Sequence, residues 1–168
     1  MSASAIALAG VGKDQWNASV YGSLSVASRI ASAVRDRSRA FQVALLLRKQ
    51  NKQLAEFLEG VHLRIEGKIP VEPSAEPLSH EKAENALRSL RELSAQLFGI
   101  YQEAKAKRLT NHSLLAGGLS RIRIYSEDIA ELADWLEGAL DPKAVEDVFE
   151  RARKETEEGN IFDIERAF

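Results

Sequence analysis

The chain has 168 residues, a length typical of one domain, and contains no cysteine, which excludes disulfides, thiolate metal sites and cysteine nucleophiles. Hydrophobic residues make up 45% and charged residues 29% of the chain, and these ordinary globular values argue against general disorder. The net charge of −2 hides an asymmetry: residues 1–125 carry 18 Lys and Arg against 11 Asp and Glu, whereas residues 126–168 carry 5 against 14. We therefore expect the acidic section to lie near basic helices.

The N-terminal residues 1–13 are mostly small, and we expect them to be frayed. Their apolar run, residues 5–11, is far shorter than the ~20 residues of a membrane helix, and no basic region of a secretory signal precedes it. We therefore predict no membrane association and a cytoplasmic location, with which the absence of cysteine is compatible.

Residues 14–66 contain no proline and keep a helical periodicity throughout. One uninterrupted helix of this length would be nearly 80 Å long at ~1.5 Å per residue. A break near residues 35–38 gives two helices of more usual length, and we favour this interpretation. The second of them has an apolar seam: Ala44, Leu47, Asn51, Leu54, Leu58, Val61 and Ile65.

Residues 67–79 hold three of the four prolines. Each proline lacks an amide donor and disfavours helix in the residue before it. We interpret this segment as a Pro-rich linker within a single helical domain that spans residues 1–168.

A third helix is predicted from a cap at Ser79 to about Arg108. Its seam contains Ala83, Leu87, Leu90, Ser94, Leu97, Tyr101 and Ala104, and Ala86, Leu93 and Ile100 widen the stripe. The turn at residues 109–111, with Asn111 or Thr110 as the next cap, is so short that the helices on either side must be antiparallel neighbours.

The clearest pattern is an unbroken heptad-like seam in the next helix: Leu115, Leu119, Ile122, Ser126, Ile129, Ala133, Leu136 and Leu140. Residues 121–125 also alternate like a strand, and Gly117 and Gly118 before them could form a turn. Because the seam runs through both features and no partner strand is visible, we predict a helix.

Two polar residues, Asn51 and Ser126, fall at seam positions. A buried polar group there fixes the register of packed helices at a cost in stability. Alternatively, both positions face the wet rim of the bundle. Either placement requires the seams to pack helix on helix.

A last helix is predicted from Pro142 to about Glu158, followed by a stop at Gly159. The tail beyond it, residues 161–168, places four large apolar residues past that stop: Ile161, Phe162, Ile164 and Phe168. Leaving each of them in water would cost roughly 1.5–3 kcal/mol relative to burial. They either pack back on the bundle or bind another chain. The fold class is therefore all-α, an elongated four- to five-helix bundle with coiled-coil-like seams.

No catalytic residue, metal site or cofactor is predicted. Glu59 and His62 have the Glu-x-x-His spacing of carboxylate-bridged di-iron bundles, but such sites need that motif on two helices. The phosphate-loop-like residues 10–13 lack the first glycine and the Ser or Thr of that motif. Serine is abundant, but none lies in a Gly-x-Ser-x-Gly elbow.

Residues 29–52 are distinctly basic and could bind phosphates or an acidic partner. The cations of this candidate face are Arg29, Arg35, Arg37, Arg39, Arg48, Lys49 and Lys52. Against nucleic acid, the whole chain is acidic and aromatic residues are not interleaved with the cations. A merely solvated surface is the simpler interpretation.

The helices have more apolar seam than their own packing requires, and the tail is apolar as well, but no catalytic, metal-binding or phosphate-binding motif is present. These features favour a non-catalytic role. We expect a helical protein–protein interaction or scaffolding module that self-associates or binds another helical chain. The alternative hypothesis is a regulatory protein that binds nucleic acid through residues 29–52.

Overall fold

The computed structural model of the chain describes residues 13–66 and 80–140. These residues form four helices: α1 (Lys13–Ala33), α2 (Ala40–Ile65), α3 (His80–Ala106) and α4 (Ala116–Leu140). Short 3-10 turns precede α2 at Arg37–Arg39 and follow α3 at Leu109–Asn111. These two stretches contain no strand, which confirms the predicted all-α bundle. The predicted frayed start, Pro-rich linker, last helix and apolar tail lie outside the described residues, except that α1 already begins at Lys13.

The helices pack in the order α1, α2, α4, α3 around one apolar core. Consecutive helices form two hairpins, α1–α2 and α3–α4, and the second is the more extensive pair. A Cβ built on Gly118, in the first turn of α4, would lie 3.2 Å from the Leu47 side chain of α2. The first turn of α4 therefore lies beside the N-terminal half of α2.

The seam of α4 faces the core as its spacing predicts. Seven of its members are at most 3% exposed: Leu115, Leu119, Ile122, Ser126, Ile129, Ala133 and Leu136. Residues 121–125 are helical, and their alternation does not produce a strand. Ile122 is fully buried while Arg121 and Arg123 on either side of it are exposed. Helical periodicity thus decides burial here.

The predicted seam of α3 is also buried, with its centre shifted by part of a turn. Leu90, Leu97 and Ala104 are fully buried, and so are Leu93 and Ile100, which the sequence placed at the side of the stripe. The seam members Leu87, Ser94 and Tyr101 are only half-buried. The core-facing stripe of α3 is therefore centred nearer to Leu93 and Ile100.

The break between α1 and α2 confirms that residues 14–66 form two helices. Asp36 has extended backbone angles (φ −117°, ψ 109°), and its carboxylate accepts hydrogen bonds from the Ser38 amide at 3.0 Å and hydroxyl at 2.8 Å. Aspartate in this position satisfies amide donors that would otherwise lack a partner at a helix start. The capped turn ends α1 and directs α2 back along it.

The polar seam residues lie inside helix interfaces. The Asn51 side-chain amide donates to the Gly118 carbonyl of α4 at 3.2 Å. Ser126 is buried and donates to the Arg123 carbonyl of its own helix at 2.7 Å, while its own carbonyl accepts from the Ser94 hydroxyl of α3 at 2.8 Å. Of the two placements considered, the structure has the one in which these groups help to fix helix register.

The predicted cap at Asn111 or Thr110 is wrong. Residues 109–111 form a 3-10 turn around the buried Leu109. The helical hydrogen bonds of α4 start from the His112 carbonyl, which accepts from the Ala116 amide at 2.9 Å. The His112 Nδ1 also accepts from the Leu114 amide at 3.2 Å. His112 therefore caps this helix, a role in which histidine is uncommon.

Candidate interaction surface

The seven cations predicted between residues 29 and 52 are all exposed. Arg29 lies on α1, while Arg35, Arg37 and Arg39 belong to the turn between α1 and α2. Arg48, Lys49 and Lys52 lie on α2. The structure thus distributes the basic stretch over two helices and the turn that joins them, and it places no cation of the set in the core.

The turn carries one carboxylate among its cations. The Asp36 carboxylate lies 3.8 Å from the Arg39 guanidinium. The hydrogen bonds from Ser38 hold the pKa of Asp36 below its ordinary value, and the charge of Arg39 adds to this effect. Asp36 is thus held in its charged form next to Arg39, which reduces the positive charge that the turn presents.

The outward face of α2 carries an outer stripe with steps of three and four residues. The outer stripe consists of Phe41, Leu45, Arg48, Lys52, Glu56 and Glu59, all of them exposed. Phe41 is 68% and Leu45 52% exposed. Since residues three and four apart are neighbours on a helix surface, the stripe is continuous and runs from apolar through basic to acidic.

Among the residues whose burial the structure describes, four other large apolar side chains are also exposed. Tyr21 lies on α1, Phe98 on α3, Leu114 before α4 and Ile124 on α4. No two of these share a helix, whereas Phe41 and Leu45 lie one turn apart on the same face. Single exposed apolar residues are normal on protein surfaces. The paired residues of the outer stripe are the more informative feature.

The second half of α4 forms an acidic surface. It contains Glu127, Asp128, Glu131, Asp134 and Glu137 and no basic residue from position 126 onwards. Arg91 of α3 donates to Asp134 at 2.8 Å and also contacts Glu137. These contacts, chiefly that with Asp134, raise the pKa of Arg91. Within the described part of the acidic section, residues 126–140, two carboxylates thus lie beside one basic residue of the neighbouring helix.

The remaining candidate residues either lie outside the described stretches or form no site within them. The tail residues Ile161, Phe162, Ile164 and Phe168 lie outside the described stretches. Glu59 and His62 are both exposed on α2. Within residues 13–66 and 80–140, no group of three or more His, Asp or Glu side chains is placed to hold a metal ion. In the same stretches, no helix combines the length and the apolar content needed to cross a membrane.

Two features of α2 are not visible in the sequence pattern. Gln50 is fully buried and donates to the Ser23 carbonyl of α1 at 3.1 Å, but glutamine gives no signal of burial. Phe41 and Leu45 stand in a largely apolar stretch, residues 40–47, in which the core-facing residues cannot be told apart by type. Their four-residue spacing, opposite to the seam, is the only available signal.

Comparison with protein-family models, with characterised proteins and with solved structures finds no match to this chain.

Proposed function

We propose that this protein is a non-catalytic helical interaction module that self-associates through the outer stripe of α2. The observation that carries the proposal is the exposure of Phe41 and Leu45, one turn apart on a helix whose opposite face already fills the core. Burying such side chains against a partner is worth roughly 1.5–3 kcal/mol each. A cytoplasmic location suits a cysteine-free chain of this kind.

Size-exclusion chromatography with light scattering tests this proposal. We expect the wild-type chain to have at least twice the mass of one copy, and the double variant F41Q/L45Q to be monomeric with an unchanged helical circular dichroism spectrum. The matched control is Phe98→Gln, which removes an exposed phenylalanine from α3. A monomeric wild-type protein, or a double variant that still assembles, contradicts the proposal.

The apolar tail is a second candidate contact surface for the same function. Its residues Ile161, Phe162, Ile164 and Phe168 either bind another chain or pack on their own bundle. Deleting residues 161–168 separates the two possibilities. Lost assembly with unchanged stability identifies a contact between chains, and lost stability with unchanged mass identifies packing within one chain.

Binding of nucleic acid is the alternative function, and one observation favours it: Arg35, Arg37 and Arg39 are all exposed in a single short turn. Against it, the outer stripe continues from Lys52 into carboxylates. Salt-dependent retention on DNA or RNA that is lost in the variant R35A/R37A/R39A would favour this function, because each phosphate contact contributes to the salt dependence.

A further inference from the structure

The outer stripe carries its charges in a fixed order. The cations Arg48 and Lys52 come first, and the carboxylates Glu56 and Glu59 follow towards the C-terminal end of α2. Within residues 13–66 and 80–140, none of the four makes an ion pair. One half of the charged part of the stripe is therefore basic, the other half is acidic, and both are available to a partner.

This order is self-complementary in one orientation. Positions 48 and 59, and positions 52 and 56, lie almost symmetrically about residues 53–54. An antiparallel second copy of α2, related by a two-fold axis near those residues, would place every cation beside a carboxylate. A parallel copy would instead place Arg48 beside Arg48, and like charges in contact disfavour association.

We propose that two copies of the chain form an isologous dimer in which the outer stripes of their α2 helices pack antiparallel. Arg48 then lies against the partner's Glu59, and Lys52 lies against the partner's Glu56. A two-fold axis repeats each contact. The inference rests on the proposed self-association and specifies its surface, orientation and ion pairs.

The apolar end of the stripe fits the same arrangement. About the same axis, Leu45 comes opposite the partner's His62, whereas Phe41 comes opposite position 66, just beyond the end of the partner's α2. Leu45 of each copy would thus lie against the last turn of the partner helix and Phe41 would lie at its end, with the charged residues between the two apolar ends. Interfaces commonly combine apolar contacts with charge pairs that fix orientation.

A second copy is favoured over an unrelated partner because of the symmetry of the charges. An unrelated helix could bind the stripe with any complementary pattern of charges. Binding such a partner would not require the cations at positions 48–52 and the carboxylates at positions 56–59 to be arranged symmetrically about one point of α2. The observed relation is the one that a two-fold axis requires.

Charge reversal tests the pairing. We expect R48E/K52E and E56K/E59K each to weaken dimerisation at least about tenfold, since like charges then face each other. An equimolar mixture of the two variants should regain the dimer, because every facing pair is again opposite in sign. The variant with all four reversals should dimerise for the same reason. Sedimentation equilibrium measures the dissociation constants.

Matched controls lie on α3, which is diagonal to α2 in the bundle. R88E/K105E repeats the charge change of the first variant, and E81K/E92K repeats that of the second, all at exposed positions. Both should dimerise like the wild-type chain, and thermal melts followed by circular dichroism should show that all variants are folded. Equal weakening by the controls would overturn the pairing.

The absence of cysteine allows a second test of orientation. In the antiparallel dimer Ala55 lies near the two-fold axis, whereas the two copies of His62 are about 25 Å apart along α2 at ~1.5 Å per residue. We expect Ala55→Cys to be joined between copies by a short bifunctional thiol reagent and His62→Cys not to be joined. Efficient joining at both positions would indicate a parallel pair and overturn the proposal.

The outcomes separate this inference from the proposed function. A monomeric wild-type chain contradicts self-association as a whole. Suppose instead that the wild-type chain is a dimer and that F41Q/L45Q dissociates it. If the charge reversals then leave the dimer intact, or if the mixture of the two charge variants stays monomeric, only the antiparallel pairing is contradicted.

Discussion

The α3–α4 hairpin and the α1–α2 hairpin share one core but differ in how their helices are held. Between α3 and α4 lie leucine and isoleucine side chains, and the Ser94 hydroxyl meets the Ser126 carbonyl at 2.8 Å. Between α1 and α2, Gln50 is buried, and its Oε1 accepts no hydrogen bond although its amide donates to Ser23. Of the four buried side-chain oxygens without a hydrogen bond in the described residues, three belong to α2.

This difference shows that, within one core, the contacts that stabilise the fold and the contacts that fix helix register can lie between different helices. Apolar burial stabilises the α3–α4 pair, but it does not select particular contacts, because the stabilisation is roughly proportional to the apolar area removed from water. A buried amide costs free energy when one of its groups is unpaired, but it favours the one register in which the other group is paired. We infer that the α3–α4 hairpin supplies most of the stability and that polar contacts align α2 with its neighbours.

The largest expected effect is in α4. Ile122 is fully buried, so Ile122→Ala should lower the free energy of unfolding by about 2–5 kcal/mol through lost burial and a residual cavity. Ile124→Ala, two residues along the same helix at a 45% exposed position, is the control and should cost less than about 1 kcal/mol. Urea denaturation measures both. Equal costs would mean that the seam does not determine stability.

A smaller effect of opposite sign is expected between α1 and α2. Gln50→Leu loses the hydrogen bond to Ser23, worth about 1 kcal/mol, but removes an unpaired buried oxygen that costs about 1–3 kcal/mol. The free energy of unfolding should therefore stay unchanged or rise by up to about 2 kcal/mol in urea denaturation. A loss above about 2 kcal/mol would show that the amide stabilises the hairpin, and the contrast between the hairpins would fail.

The smallest effect concerns the ion pairs of the α3–α4 hairpin. Arg91, Asp134 and Glu137 are substantially exposed, so solvent weakens their attraction, and Arg91→Met should cost only about 0.2–1 kcal/mol. The loss should shrink as the salt concentration rises, because exposed charges are screened. Thermal melts at low and high salt measure it. A large, salt-independent loss would indicate that the packing of the Arg91 side chain matters more than its charge.

The core could be predicted from the sequence because burial in a helix follows a period of about 3.6 residues. The seam of α4 needed no knowledge of its neighbours, and the turn residues near 35–38 and 109–111 placed the breaks between consecutive helices. The outward face of α2 could not be predicted in the same way. In residues 43–47 every side chain is apolar, so only packing against α1 and α4 leaves Leu45 outside while Leu46 and Leu47 are buried.

The cap of α4 and the buried glutamine were missed for a related reason. The His112 ring accepts the Leu114 amide directly after a 3-10 turn that the sequence did not predict. Gln50 is buried because α1 lies against it and offers the Ser23 carbonyl. In both cases the residue type permits several environments, and tertiary structure selects one.

At Gly118 the two hairpins lie close to each other. An added methyl group there would press on Leu47 at 3.2 Å, whereas one added at Gly117 would meet nothing within 4 Å. A side chain at position 118 would thus act as a wedge between α2 and α4, while the same change at 117 would only strengthen the helix. The missing side chain at this position permits the close approach of α4 to Leu47 of α2, and graded substitutions there offer a way to adjust the spacing of these two helices without changing the seams.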